Sequence, residues 1–331
     1  MARTANSCVS LIIIGWLAHC AIGQQPRPQA GQGLQPQQQQ AAAQQIPIVQ
    51  VQDAVAAGQA RVPQQPFPDL TPAEVSFVDQ VLNVWETRTA SIKRYSADFR
   101  RWQYDSTKFE DGHYTVASGI LKYETPDRGV FKVETLESIA QKGPPAVYRV
   151  DPRRPYGEHW ICDGEWVHVL DHNEKKAQLI QLSPDQRGNL ASRSPLPFLF
   201  GVKAAEVKQR YWIRPLNPPN RPEELWLEVY PKFTMDAGNY SRVQVVLDRK
   251  DILPKGLIVF MPEWTPQQPN REVYQFDNRE TDSVMDALRQ RLLFQNFIQT
   301  KLGSDWEIVK EPYIPPEQTA SQPAADRPLG R

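Results

Sequence analysis

The sequence predicts a mainly β domain of the α+β class, an antiparallel meander opened and closed by a helix. Three observations carry that reading. Thr71-Pro72-Ala73-Glu74 has the form of a helix N-terminus and leads into an apolar stripe at three- and four-residue spacing. After Tyr95 the spacing changes to short runs of period two, separated by turn residues. A second helical stripe, Val284, Leu288, Leu292 and Leu302, follows the last run.

Ahead of the first helix, Arg3 and the apolar run Val9 to Leu17 form the n- and h-regions of a signal peptide. Ala21-Ile22-Gly23 sets small residues at −3 and −1, which places cleavage after Gly23 and the mature chain in the periplasm or outside the cell. Lipid attachment at Cys20 is the alternative, although His19 stands where a lipobox needs a small residue. Residues 24–68 are rich in Gln, Pro and Ala, with too little apolar surface to offset the entropy of ordering, and read as a disordered tether. The domain then covers 69–314, and 315–331 is a tail of the tether's kind.

Within the domain the first stripe is Val75, Val78, Leu82, Trp85, Thr89 and Ile92. Strands are expected over Ser96–Tyr104, Val116–Glu124, Gly129–Leu136, Val147–Val150, Glu158–Cys162, Glu165–Leu170 and Ala177–Leu182. Further strands are expected over Val207–Ile213, Leu225–Tyr230, Arg242–Asp248, Leu257–Met261 and Glu272–Asp277. "SPLPFLFG", Ser194 to Gly201, reads as an apolar turn or short helix against the sheet. The closing helix starts near Thr281 and runs about five turns.

With 38 basic and 38 acidic residues, the chain lacks the basic excess that nucleic-acid binding requires. The densest collection of reactive side chains is "HWICDGEWVHVLDHNEKKAQLIQL", His159 to Leu182. Asp163-Gly164 signals a two-residue hairpin turn, pairing Cys162 with Glu165, Ile161 with Trp166, Trp160 with Val167 and His159 with His168. Alternation then puts His159, Ile161, Trp166, His168 and Leu170 on one face and Trp160, Cys162, Glu165, Val167 and Val169 on the other. Cys162 therefore cannot share a tetrahedral site with His159 and His168. His172 lies about 13 Å along the strand from His168. The expectation is a cross-strand histidine pair and no metal site. The sequence also has no Gly-x-Ser-x-Gly elbow, phosphate-cradling glycine loop or His-Glu-x-x-His helix, and names no catalytic residue or cofactor. A hydrolase using His159 or His168 is the weakest of the readings.

"IKRYSADFRRWQ" (92–103), "SGILKYETPDRGVFKVE" (118–134), the "DG" hairpin and "SPLPFLFG" follow one another as corresponding motifs do in the LolA-type lipoprotein carriers, which this chain resembles. "YSRVQVVLDRKDILPKGLIVF" and "REVYQFDN" complete the order, so the resemblance spans most of 92–278. The chain also resembles the LolA-like domain of planctomycete secreted proteins. The resemblance implies a strongly curved antiparallel sheet, an incomplete barrel with helices over its concave face, that shelters acyl chains without covalent chemistry.

Carried over by alternation, the cavity-lining residues are Phe99, Leu121, Tyr123, Phe131, Val133, Trp166, Leu170, Leu225, Leu227 and Val229. Thr125 stands where the carriers have an arginine for lid closure, which separates lipid binding from their transfer cycle. The expected function is a non-enzymatic carrier-like protein binding a lipid or an acylated protein, with an envelope protein as a further partner and transient membrane contact. The alternative is a secreted, envelope-associated interaction module whose core is filled by its own side chains.

Overall fold

A computed structural model describes residues 64–184, 186–187, 198–199, 203–282 and 302–314. The leader, most of the tether, the closing helix before Leu302 and the tail lie outside the described residues, as does "SPLPFLFG" except Phe198 and Leu199. Those two side chains are buried in the main core.

Helix α1 (Pro72–Ala90) begins as its cap predicts. The Thr71 Oγ1 accepts from the Glu74 N–H (3.3 Å), and Glu74 Oε2 accepts from the Thr71 N–H (2.8 Å). Val78, Leu82, Trp85 and Thr89 are buried as expected; Val81 joins them, and Val75 points outward. Ile92 is buried just beyond the helix.

Among the described residues thirteen strands form one sheet: β1 (Arg94–Tyr104), β2 (His113–Glu124), β3 (Arg128–Gln141), β4 (Val147–Arg149), β5 (His159–Asp163), β6 (Trp166–Asp171) and β7 (Lys176–Gln181) come first. They are followed by β8 (Tyr211–Leu216), β9 (Glu224–Pro231), β10 (Arg242–Asp248), β11 (Pro254–Phe260), β12 (Arg271–Thr281) and β13 (Glu307–Glu311). Their order is β13-β7-β6-β5-β3-β2-β1-β12-β11-β10-β9-β8, with β4 beside β3. Neighbours are antiparallel except β13 and β7, which run parallel, so the sheet is mixed.

Three expectations are corrected. The residues Val207–Arg210 assigned to a strand belong to helix α2 (Ala204–Arg210), where Ala204 and Val207 bury at helical spacing and Lys203 pairs with Glu206 one turn on. β13 was not expected at all. The strong curl implied by the resemblance is absent: among the described residues the sheet is open, ending at β13 and β8, which do not pair with each other. A half-barrel gathers its apolar side chains on one concave side. Here Ile161, Leu170 and Ala177 form a second cluster, packed with Val130, Leu179, Leu302 and Trp306, on the face opposite Phe131 and Trp160.

The main core lies under α1. The helix has 19 residues, about 28 Å at about 1.5 Å per residue. Five strand spacings of about 4.8 Å separate β1 from β8, about 24 Å. That length lets α1 reach from β1, which it enters directly, to β8, against which it packs. Beneath it lie Leu225, Leu227 and Val229 on β9, opposite Leu247, Val245 and Val243 on β10.

Candidate functional site

The face carrying the main core holds a row of aromatic rings contributed by four strands. Tyr274 (β12), Phe99 (β1), Phe131 (β3) and Trp160 (β5) follow one another with centroid separations of 6.4, 4.6 and 5.4 Å. Phe99 and Phe131 stack within 11° although β2 runs between their strands. The register explains this contact, because the β2 residue opposite Phe99 is Gly119, which leaves room for the rings to meet. A Cβ at Gly119 would come within 1.9 Å of the Lys132 carbonyl oxygen, so the backbone approach itself demands glycine.

Beyond Phe99 the same face turns polar. Arg101 donates from Nη2 to Glu158 Oε2 (2.9 Å), and the two side chains are 1% and 6% exposed. Gln103 Nε2 donates to Glu272 Oε1 (2.7 Å), Tyr274 Oη donates to Glu272 Oε2 (2.6 Å), and Thr115 Oγ1 donates to Gln103 Oε1 (2.6 Å). Burial, reinforced by the Glu272 charge, pushes the Tyr274 phenol well above its ordinary range. Burial works against the Arg101 charge, but Glu158, Tyr274 and Glu272 more than offset it and raise the guanidinium further. Tyr274 thus joins the two parts, its ring in the row and its hydroxyl in the network.

Of the ten residues expected to line a cavity, Phe99, Leu121, Val133, Leu225, Leu227 and Val229 are buried in the main core. Tyr123 and Phe131 are partly buried against it. Trp166 and Leu170 are not brought to this group. Phe131 lies opposite Trp160, whose neighbour on β6 is Val169, so alternation sends Trp166 and Leu170 to the other face. Trp160, Tyr274, Gly119 and the Arg101–Glu158 pair were missed.

The histidine stretch folds differently from its expected register. Asp163 Oδ1 accepts from the N–H groups of Glu165 (2.9 Å) and Trp166 (2.7 Å), which closes a wider turn around Gly164 (φ 99°). Pairing therefore shifts by two residues: Cys162 faces Val167, and His159 faces Leu170. His168 is left to meet Asp163 (Nε2 to Oδ2, 3.0 Å), and His172 reaches His159 (Nε2 to Nδ1, 2.7 Å). The His159 and His172 rings are parallel within 9°, with centroids 5.0 Å apart. That separation exceeds the N···N distance by about two ring radii, so the rings lie edge to edge and share one proton. The two ring nitrogens are aimed at each other and do not converge on a third position where a metal ion would sit.

Burial pushes His159 down to about 4, helped by His172 and Lys132. His172 is lowered too, chiefly by burial. Burial raises the Cys162 thiol to about 12, which makes it a poor nucleophile. Among the described residues no three His, Cys, Asp or Glu side chains gather as a metal site.

The fold and this face together describe a large, mostly antiparallel sheet whose helix-covered side carries an apolar core and, beside it, a buried polar network. No protein-family model matches the sequence, and no curated protein does. Solved structures similar in fold include an uncharacterised conserved protein from Thermus thermophilus, with TM-score 0.39 and 6% identity over 71% of this chain and 99% of that one. A LolA superfamily protein from Nitrosomonas europaea follows at TM-score 0.30 and 10% identity, over 64% of this chain and 96% of that one. The Mycobacterium tuberculosis lipoprotein LppX gives 0.33 and 8%, over 62% and 95%. The chain also spans 60% of a chain in the Pseudomonas aeruginosa MucA/MucB complex, at TM-score 0.31 and 15% identity. These likenesses concern the fold alone, and the narrower affinity with the planctomycete domain gains no support from them.

Proposed function

We propose that this protein is a non-enzymatic binding protein of the cell envelope, exported to the periplasm, that shelters acyl chains of a lipid or an acylated protein against the aromatic row. The observation that carries the proposal is the continuity of the row. Tyr274, Phe99, Phe131 and Trp160 form a continuous row of rings, with Tyr274, Phe99 and Trp160 buried at 8%, 2% and 6% exposure and Phe131 the partly open one, and Gly119 clears the crossing between its two central rings. Each methylene laid against such a surface contributes roughly 0.8 kcal/mol, so a single long chain suffices for useful affinity. Tyr123 and Phe131, only partly buried, are the part of this face an incoming chain meets first.

A second reading is favoured by a specific observation. Leu227, Val245 and Leu247 are 0% exposed, and Leu82 and Trp85 on α1 are 1% exposed, so α1 fills that part of the face with the protein's own side chains. In this reading the domain is an envelope interaction module without a lipid ligand. Phe131→Ser distinguishes the two. Uptake of a fluorescent fatty acid by the full chain should fall at least tenfold if the row is the binding surface. Unchanged uptake, or none by the wild type, favours the interaction module.

A further inference from the structure

We propose that β4 and the loops on either side of it, Lys142 to Tyr156, dock the protein on an anionic lipid surface. Between Lys142 and Tyr156 stand four cations, Lys142, Arg149, Arg153 and Arg154, and one acid, Asp151, in a chain whose formal net charge is zero. Among the described residues no ion pair engages Lys142, Arg149 or Arg153, and all three are exposed. Arg154 meets the half-exposed Asp171, at 3.2 Å. The Asp151 carboxylate is occupied locally, Oδ1 accepting from the Arg153 N–H at 2.9 Å. Glu137 and Glu134 lie nearby on β3, and Lys132 answers Glu134 at 3.5 Å.

The β4–β5 loop also exposes apolar bulk at both ends. Val150 is 44% and Tyr156 54% exposed, two of the few large hydrophobic side chains left in water. The loop is fixed in this posture. Asp151 O accepts from the Arg154 N–H (3.1 Å), Tyr156 N–H donates to Asn173 Oδ1 (3.1 Å), and Asn173 Nδ2 donates to Tyr156 O (2.9 Å). Pro152 and Pro155 restrict its backbone further. Guanidinium groups beside a tyrosine, displayed on a stiff support, match the phosphates and the interfacial layer of an anionic bilayer. Charge complementarity selects this partner over a neutral surface. The inference stands whether or not the aromatic row holds an acyl chain.

The test is co-sedimentation of the full chain with phosphatidylcholine vesicles, with and without phosphatidylglycerol. Binding to the phosphatidylglycerol vesicles is expected, together with its loss in high salt. The double variant R153E/R154E should weaken it roughly tenfold or more, and Y156A by a few-fold. K250E, which removes an exposed cation from the distant β10–β11 turn, should leave it unchanged. If R153E/R154E does not fold, R153A/R154A carries the test with a smaller loss in the same direction. Equal binding to both vesicle types, an equal loss with K250E, or capture by polyglutamate with no vesicle binding would overturn the proposal, the last in favour of an acidic protein partner.

Discussion

The two halves of the sheet are built to different strengths. From β1 through β12 to β8, apolar side chains gather under α1 in one cluster, and two buried carboxylates of that half are held by cations: Glu228 by Arg214 and Arg242, Asp236 by Arg210. From β5 to β13 the second cluster is small and is capped by Leu302 and Trp306. Its ion pairs are exposed, Lys175–Asp305 at 57% on both sides and Arg154–Asp171 at 50% and 37%. Burial of this kind makes the first half the scaffold and the second the part that opens at least cost. Phe131 sits between them, with its ring on Phe99 of the scaffold and Trp160 of the weaker half.

The strongest challenge to this contrast is the tie across it. Glu158→Ala leaves Arg101 buried at 1% exposure without its carboxylate, and should cost about 3–5 kcal/mol in urea unfolding. Little change would mean that the halves are not joined there. Next come matched truncations. Leu227→Ala should cost about 2–5 kcal/mol, and Leu179→Ala, partly buried in the small cluster, about half as much or less. Equal losses would erase the distinction between the halves.

Acid should find the weaker half first. His159 is held at about 4 in the fold against an ordinary 6.5, so the unfolded chain takes up the proton first. The stability this pair contributes is complete above about pH 6.5, declines as pH falls through that window, and levels off below about 4. His172 packs edge to face on Trp306, with centroids 5.1 Å apart, which makes Trp306 fluorescence and hydrogen exchange at β13 the natural readouts. His159→Asn should flatten the dependence; an unaltered acid profile would remove the pair from the account. The smallest effect belongs to Lys175→Ala, which urea unfolding should barely register because both partners lie in water.

Much of this architecture was legible in the residues. The Thr71–Glu74 box is a local signal and formed as written, and most strands lie where period two placed them. What failed was non-local. Alternation sorted the β5–β6 hairpin into its correct faces, but only the pairing of Phe131 with Trp160 decides which of those faces joins the row. Trp166 and Leu170 were assigned to the wrong side for that reason. The hairpin register slipped because the Asp163 side chain capped the turn, a competition between side chain and backbone that a turn dipeptide does not disclose. β13, "EIVKE", is short, charged and paired in parallel, and carries no alternation to read. Gly119 looked like an ordinary strand glycine until its neighbour across the ladder was known to be Phe99.

We propose the aromatic row as the surface that receives an acyl chain. Native mass spectrometry of the full chain, purified from its envelope without detergent exchange, tests this most directly. A discrete added mass, released as lipid on activation and missing from Phe131→Ser, is the predicted result. A protein that stays at its bare mass, and remains so after incubation with envelope lipids, would contradict it.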